Sequence, residues 1–243
     1  DSFPDIDEFT RDGHVMLNRI EGSPHTTIAL TTGLALGGGL ELALSCDYRI
    51  GTERTMLRFP ETSIGIYPGL GGTQRSARVC GVEAARYAVL AGNLLDPGSA
   101  KALGFVTHMV DVSEIPETIG ALSSEGKPEH KYPAEPHDPD HPVAAMSRDF
   151  YSDSNMEGLL EGIAPEGFDP EDKNVSRQLK ALSRAAPVSI RLASRLLDST
   201  RTTDLASGLE LELGALDEIF STSDALEGLS ALIEGRRPEY TGS

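Results

Sequence analysis

Gly33-Leu34-Ala35-Leu36-Gly37-Gly38-Gly39-Leu40-Glu41-Leu42-Ala43-Leu44-Ser45-Cys46-Asp47-Tyr48-Arg49-Ile50 is the stretch whose reading decides the fold. Ahead of it, Thr26-Thr27-Ile28-Ala29-Leu30-Thr31-Thr32 is a β-favouring run entered after Pro24 and closed by Gly33, which predicts a buried strand. Three consecutive glycines then open an almost wholly apolar segment, 40–46, whose composition predicts a short helix buried nearly all round. Tyr48-Arg49-Ile50 returns to strand character. Strand, tight turn, buried helix and strand in succession predict an α/β fold.

The alternation continues outward. A second glycine cluster, Gly69-Leu70-Gly71-Gly72-Thr73-Gln74-Arg75, precedes a helix expected over 82–90. A further helix is expected over 99–103, capped by Gly104, and a strand over 106–110. Residues 1–122 thus read as a catalytic core. From 123 to 174 the chain turns rich in Pro, Asp, Glu and His without periodicity, which reads as an insertion or linker. Residues 175–243 read as a helical region of at least three helices, with Leu179, Leu182, Ile190, Leu192, Leu196 and Leu197 in one apolar series and Leu209, Leu211, Leu213, Leu216 and Ile219 in the next.

A chain of 243 residues can bury a proper core. Its 38 acidic against 21 basic residues leave a net charge of −17, which argues against nucleic acid or an anionic membrane as the partner. The acid is spread along the chain, as on a solvated surface that a high-salt cytoplasm favours. Cys46 and Cys80 lack metal-ligand spacing and sit in apolar stretches, so they are expected to be buried free thiols in a reducing compartment. No apolar run approaches the ~20 residues of a membrane span, and no signal-peptide pattern opens the chain. The expectation is a soluble, cytoplasmic protein.

Two carboxylates stand out chemically. Glu41 falls one turn into the apolar helix, where an unpaired acid is costly to bury. One explanation is a capping acid favoured by the helix dipole; the other is chemistry. The glycines support the second, because backbone without Cβ atoms lets a ligand reach the N–H groups at a helix start. Glu61, in Phe59-Pro60-Glu61-Thr62-Ser63-Ile64-Gly65, is again an acid among apolar neighbours, readable as a surface loop acid or a functional one. Paired acids beside glycine-rich backbone are the ingredients of acid/base chemistry on a carbonyl compound.

The 33–50 stretch resembles the crotonase signature. Pro60-Glu61-Thr62, the run Gly65-Ile66-Tyr67-Pro68-Gly69-Leu70-Gly71-Gly72-Thr73-Gln74-Arg75, and Ala100-Lys101-Ala102-Leu103-Gly104-Phe105-Val106 are similar to the family's following segments in order and spacing. So is the closing stretch Asp224-Ala225-Leu226-Glu227-Gly228 … Glu234-Gly235-Arg236-Arg237-Pro238-Glu239-Tyr240. The resemblance implies a ClpP-like spiral of ββα turns with an α-helical C-terminal oligomerisation region that builds homotrimers, often paired into hexamers. It implies an enoyl-CoA hydratase of fatty acid β-oxidation type, acting on an acyl-CoA thioester without a metal or separate cofactor. Position by position, the Gly38 N–H becomes a donor of the oxyanion hole, with Leu36 and Gly37 beside it. Glu41 activates water, Glu61 delivers the α-proton, and Gly69 lines the reacting end. Arg236 and Arg237 are candidates for the CoA phosphates; a solvated helix end is the alternative.

The family's short Ala/Gly-Ala-Asp segment, source of a second oxyanion donor, is expected to precede this chain, with Asp1 as its aspartate. In the other alignment Asp5-Ile6-Asp7-Glu8-Phe9 is its remnant and Pro4, which has no N–H, takes the donor position. The stretch from 149 to 197 is similar to 3-hydroxyisobutyryl-CoA hydrolases, which makes thioester hydrolysis the rival activity and isomerisation a further one. A non-catalytic CoA-binding or oligomer-completing chain is the reading of another class. Arg75 is expected in a structural ion pair, and His130, His137 and His141 on surface loops.

Overall fold

The computed structural model describes residues 3–243, with side chains from Ile6 onward. Helix α1, Phe3–Glu21, leads into strand β1, Ile28–Thr31, and strand β2, Leu34–Leu36. Helix α2, Gly38–Ser45, crosses to β3, Tyr48–Gly51, and β4, Met56–Arg58, follows. β3 lies parallel between β1 and β5, His108–Met109, with Ile28 opposite Tyr48 and Ile50 opposite His108. β2 and β4 form a second parallel pair, Leu34 opposite Met56. The strand expected over 26–32 is present as β1, though only Thr31 of it is buried and Leu30 is 50% exposed, and the helix expected over 40–46 is present as α2.

The triple glycine works through one residue in particular. Gly37 caps α2 at φ 46°, a left-handed conformation that favours glycine, and its N–H donates to the Arg58 carbonyl, tying the turn to β4. α2 is buried at Leu40, Glu41, Ala43, Leu44 and Ser45, as its apolar composition requires.

Helices α3, Gly72–Cys80, and α4, Val82–Val89, form the second layer against α2 and the later helices. α5, Pro97–Ala102, begins as its residues dictate: Asp96 accepts from the Ser99 N–H at 2.8 Å, and Pro97 supplies the N-terminal φ. Gly104 adopts φ 81° beyond its end. Cys46 and Cys80 are free and buried.

α6, Ile115–Glu125, runs into the stretch read as an insertion or linker, and that stretch also holds α7, Pro142–Phe150, and α8, Met156–Leu160. Phe150, Tyr151, Met156 and Leu159 belong to the main core, Phe150 and Tyr151 meeting edge to face. These elements are too short to show a helical period among the prolines, so composition concealed them. His130 is exposed, whereas His141 caps α7 and accepts from the Val143 N–H.

Five helices close the chain: α9, Lys173–Leu182; α10, Pro187–Ser199; α11, Leu205–Gly214; α12, Leu216–Phe220; and α13, Ser223–Glu234. Leu182, Ile190, Leu192, Leu196 and Leu197 are buried as read. In α11 the face that turns inward is Leu209, Glu212 and Leu213, while Leu211 is exposed. A helical period of 3.6 puts residue 211 on the other side, so the leucine alternation overstated the core. No helix among the described residues is long and apolar enough to cross a membrane.

Candidate active site

A cavity of about 510 Å³ opens where α1, α2, the turn after β4 and α12 meet. Glu41 and Glu61 both line it, together with Gly69 and Leu70; Ile6, Phe9 and Thr10 of α1 and Leu216, Ile219 and Phe220 of α12 supply opposite walls. Most of the lining is apolar, so the two acids are its principal charges. This matches the general form of a small-molecule site: apolar walls with few convergent polar groups.

Glu41 is 2% exposed and anchored from across the cavity floor. Its Oε1 accepts the Leu70 and Gly72 N–H groups, each at 2.8 Å. The second glycine cluster is what makes this grip possible: a methyl on Gly72 would lie 2.7 Å from Glu41 Oε1 and 2.6 Å from Pro68 Cβ. Glu61 sits at the start of a 3-10 turn, Glu61–Ile64, behind Gly37, where a methyl would collide with its carboxylate. Its Oε2 is buried without a partner.

Both carboxyls are driven up in pKa. Burial pushes Glu61 to about 7, against the opposing pull of a backbone hydrogen bond and of Arg58, with the Glu212 charge adding to the rise. For Glu41, burial acts first and the charges of Glu61 and Glu212 second, while the Leu70 and Gly72 N–H groups pull the other way. Two acids so placed titrate as a pair. The two amide donors oppose the rise at Glu41 without reversing it, whereas Glu61 Oε2 has no donor.

Gly38 stands at the exposed start of α2, and a methyl there would lie 3.9 Å from Glu41 Oε2 and 3.6 Å from Leu70 Cδ1. Its N–H is among the first-turn donors that a helix leaves without an internal acceptor. The structure thus gathers Glu41, Glu61 and Gly69 at the cavity, with Gly38 beside Glu41 and Leu70 but outside the lining. It does not gather the rest: Leu36 is 41% exposed on β2 and Gly37 is buried beneath Glu61, neither lining the cavity. Arg236 binds Glu227 through Nη1 and Nη2 at 2.5 and 2.7 Å and Glu234 at 2.5 Å, on the exposed end of α13. Arg237 lines a separate cleft with Arg184 and Tyr240. Arg236 is thus held by two carboxylates at the surface, away from the cavity lining. Arg75 is the structural ion pair expected: fully buried, it meets Glu21 at 2.8 Å and the Asn18 amide oxygen at 2.7 Å. Asp1 lies outside the described residues, and Pro4 and the 5–9 stretch belong to α1.

Sequence reading missed Glu212, completely buried beneath the 69–73 loop, and His14, 3% exposed on α1. It also missed α1 and α12 as cavity walls. The signal for Glu212 existed: it shares the inward face of α11 with Leu209 and Leu213, where an acid is out of place.

With this geometry in view, the likeness to known proteins becomes specific. Enoyl-CoA isomerase/hydratase of Mycosarcoma maydis is 28% identical over 239 residues, covering 98% of this chain and 67% of its own length. Mitochondrial methylglutaconyl-CoA hydratase of Mus musculus is 30% identical over 227 residues, covering 93% of this chain and 56% of its own length. The chain therefore spans about six tenths of the length of such relatives. A crystal structure of an enoyl-CoA hydratase from Rhodobacter sphaeroides superposes with a TM-score of 0.73 at 24% identity, over 98% of this chain and 69% of that one, which shows the crotonase fold with its C-terminal helices. The sequence model of the family described as Enoyl-CoA hydratase/isomerase matches residues 2–242, and the chain belongs to that family within the crotonase superfamily.

Proposed function

We propose that this chain hydrates a trans-2-enoyl-CoA to a 3-hydroxyacyl-CoA. The observation that carries the reading is the pair of buried glutamates facing one apolar cavity, one gripped by two amides and the other holding an unpartnered oxygen. Hydration needs a base for water at the β-carbon and an acid for the α-carbon on the same side of the substrate. Glu41, held in place by the Leu70 and Gly72 N–H groups, takes the water proton as the oxygen attacks. Glu61, its proton favoured by burial, gives that proton to the α-carbon.

As the β-carbon is attacked, charge develops on the thioester oxygen. The Gly38 N–H is the donor for it; one such donor is worth roughly 2.7–4 kcal/mol in transition-state stabilisation. The apolar walls from α1 and α12 exclude water other than the reacting one and suit an acyl chain. Trimeric or hexameric assembly, expected from the resemblance, is supported by Leu226, Leu232 and Ile233, apolar side chains of α13 that are 71%, 59% and 87% exposed.

The test is to follow the enoyl-thioester absorbance of crotonyl-CoA with the purified chain and identify the product by mass. Formation of 3-hydroxybutyryl-CoA is the expected result. Release of free CoA would instead establish hydrolysis, a shifted double bond in a 3-enoyl substrate isomerisation, and binding without turnover a non-catalytic role; each overturns hydration.

A further inference from the structure

The 69–73 loop is held between two carboxylates that face each other across it. From the cavity side, Glu41 Oε1 takes the N–H groups of Leu70 and Gly72. From beneath, Glu212 takes the alternate positions: Oε1 accepts the Gly71 N–H at 2.5 Å and Oε2 the Thr73 hydroxyl at 2.5 Å. His14 completes the arrangement, its Nε2 2.8 Å from the Gly69 carbonyl and 3.1 Å from Glu212 Oε1. Both of those neighbours are acceptors, so Nε2 carries the hydrogen. Tyr67, just before the loop, donates its hydroxyl to the Glu212 carbonyl at 2.6 Å.

We propose that Glu212, with His14, is a positioning residue for Glu41: by gripping the Gly71 N–H and the Thr73 hydroxyl on either side of Gly72 it fixes the direction of the two amides that hold the Glu41 carboxylate. The physical argument is geometric. Successive N–H groups of an irregular turn have no ladder to fix them, and a buried N–H must find a partner. With the Gly71 N–H and the Thr73 hydroxyl held on the Glu212 side, the N–H groups of Leu70 and Gly72 turn toward Glu41. Charge reinforces the arrangement, since hydrogen bonds to an ionised acceptor are shorter and stronger than neutral ones. A buried carboxylate is costly to keep without donors, and here the Gly71 N–H, the Thr73 hydroxyl and the His14 Nε2–H supply them.

The activity arm of the test rests on the hydratase reading; amide exchange does not. Glu212→Gln keeps the shape but loses one acceptor, and Thr73→Val removes a single grip. In each variant hydrogen exchange is measured at the Leu70 and Gly72 amides by NMR, alongside kcat and KM for crotonyl-CoA. The expected result for Glu212→Gln is exchange about tenfold faster at both amides, with kcat lower on the order of 10- to 100-fold and KM within about threefold. Thr73→Val shows the same pattern more weakly and carries the test should Glu212→Gln not fold. Glu210→Gln, exposed on the same helix, leaves all three quantities unchanged. Unaltered exchange at Leu70 and Gly72 overturns the inference whatever kcat does, because any effect would then reach Glu41 through charge alone. Wild-type chain without turnover defeats the hydratase reading, and exchange still decides this one.

Discussion

The two glycine-rich turns have the same composition and opposite duties. In the first, 37–39, Gly37 is committed to β4 and pressed by Glu61, while the N–H of Gly38 faces the open start of α2. In the second, three of the four amides of 69–72 are taken, two by Glu41 and one by Glu212, with the Leu70 carbonyl accepting from Arg75 at 3.3 Å. Each turn also serves the acid of the other. Glu41, from the helix after the first turn, is anchored by the second; Glu61, ahead of the second, packs on the first. A turn with donors to spare can stabilise a developing charge, whereas a saturated one can only aim a side chain.

The largest break in that comparison comes from the acids themselves. Glu41→Gln and Glu61→Gln are each expected to lower the hydration rate by ~10²–10⁴-fold, and the double variant by much less than the product, since the two act as a unit. Glutamine keeps an oxygen for the Leu70 and Gly72 amides, so Glu41→Gln folds. Steady-state kinetics with crotonyl-CoA checks this, and full activity in either variant would remove that acid from the mechanism.

Arg75→Ala tests the saturated turn from its far side. It removes one partner of Glu21, which keeps Lys131 at 3.1 Å and the Tyr132 hydroxyl, and the expected loss is about 1.5–3 kcal/mol of stability, read by urea unfolding. A loss below about 1 kcal/mol would mean that the arginine merely fills space.

Titration sharpens the contrast next. The folded Glu61 carboxyl stands at about 7 against an unfolded value near 4.5, so the folded chain binds the extra proton between those limits. Stability therefore falls as pH rises from 4.5 to 7, by up to about 3 kcal/mol from Glu61, and Glu61→Gln lowers that slope while Glu41, also driven up by burial, keeps its own share. The hydration rate, which needs the Glu61 proton, likewise falls as pH rises through about 7. A flat stability profile across that window in the wild-type chain would contradict the placement.

The smallest effect is expected at the other end of the molecule. Arg236, exposed and already bound by Glu227 and Glu234, should leave KM for crotonyl-CoA within about twofold when changed to alanine. A tenfold rise in KM would return it to the CoA site.

How much of this could be read along the chain differs between the two carboxylates and their supports. Glu41 and Glu61 announce themselves because each is an acid in a short apolar context beside glycine. Glu212 obeys the same rule, but its stretch 209–213 alternates leucine and glutamate, and only the helical period separates the buried Glu212 from the exposed Glu210. α7 and α8 were hidden by prolines and by their own brevity.

The sequence by itself determined the β1–α2–β3 succession, the second glycine turn and the pair of acids, because each depends on residues within a few positions of one another, whereas the short β2 stood inside what read as a turn. Tertiary structure alone decided that Leu70 and Gly72 reach Glu41 across 29 and 31 residues, that Glu212 reaches Gly71 across 141, and that α1 and α12 wall one cavity. Hydrogen bonds between distant segments are fixed by how whole layers pack, and no local pattern of residues encodes which amide a buried carboxylate will meet.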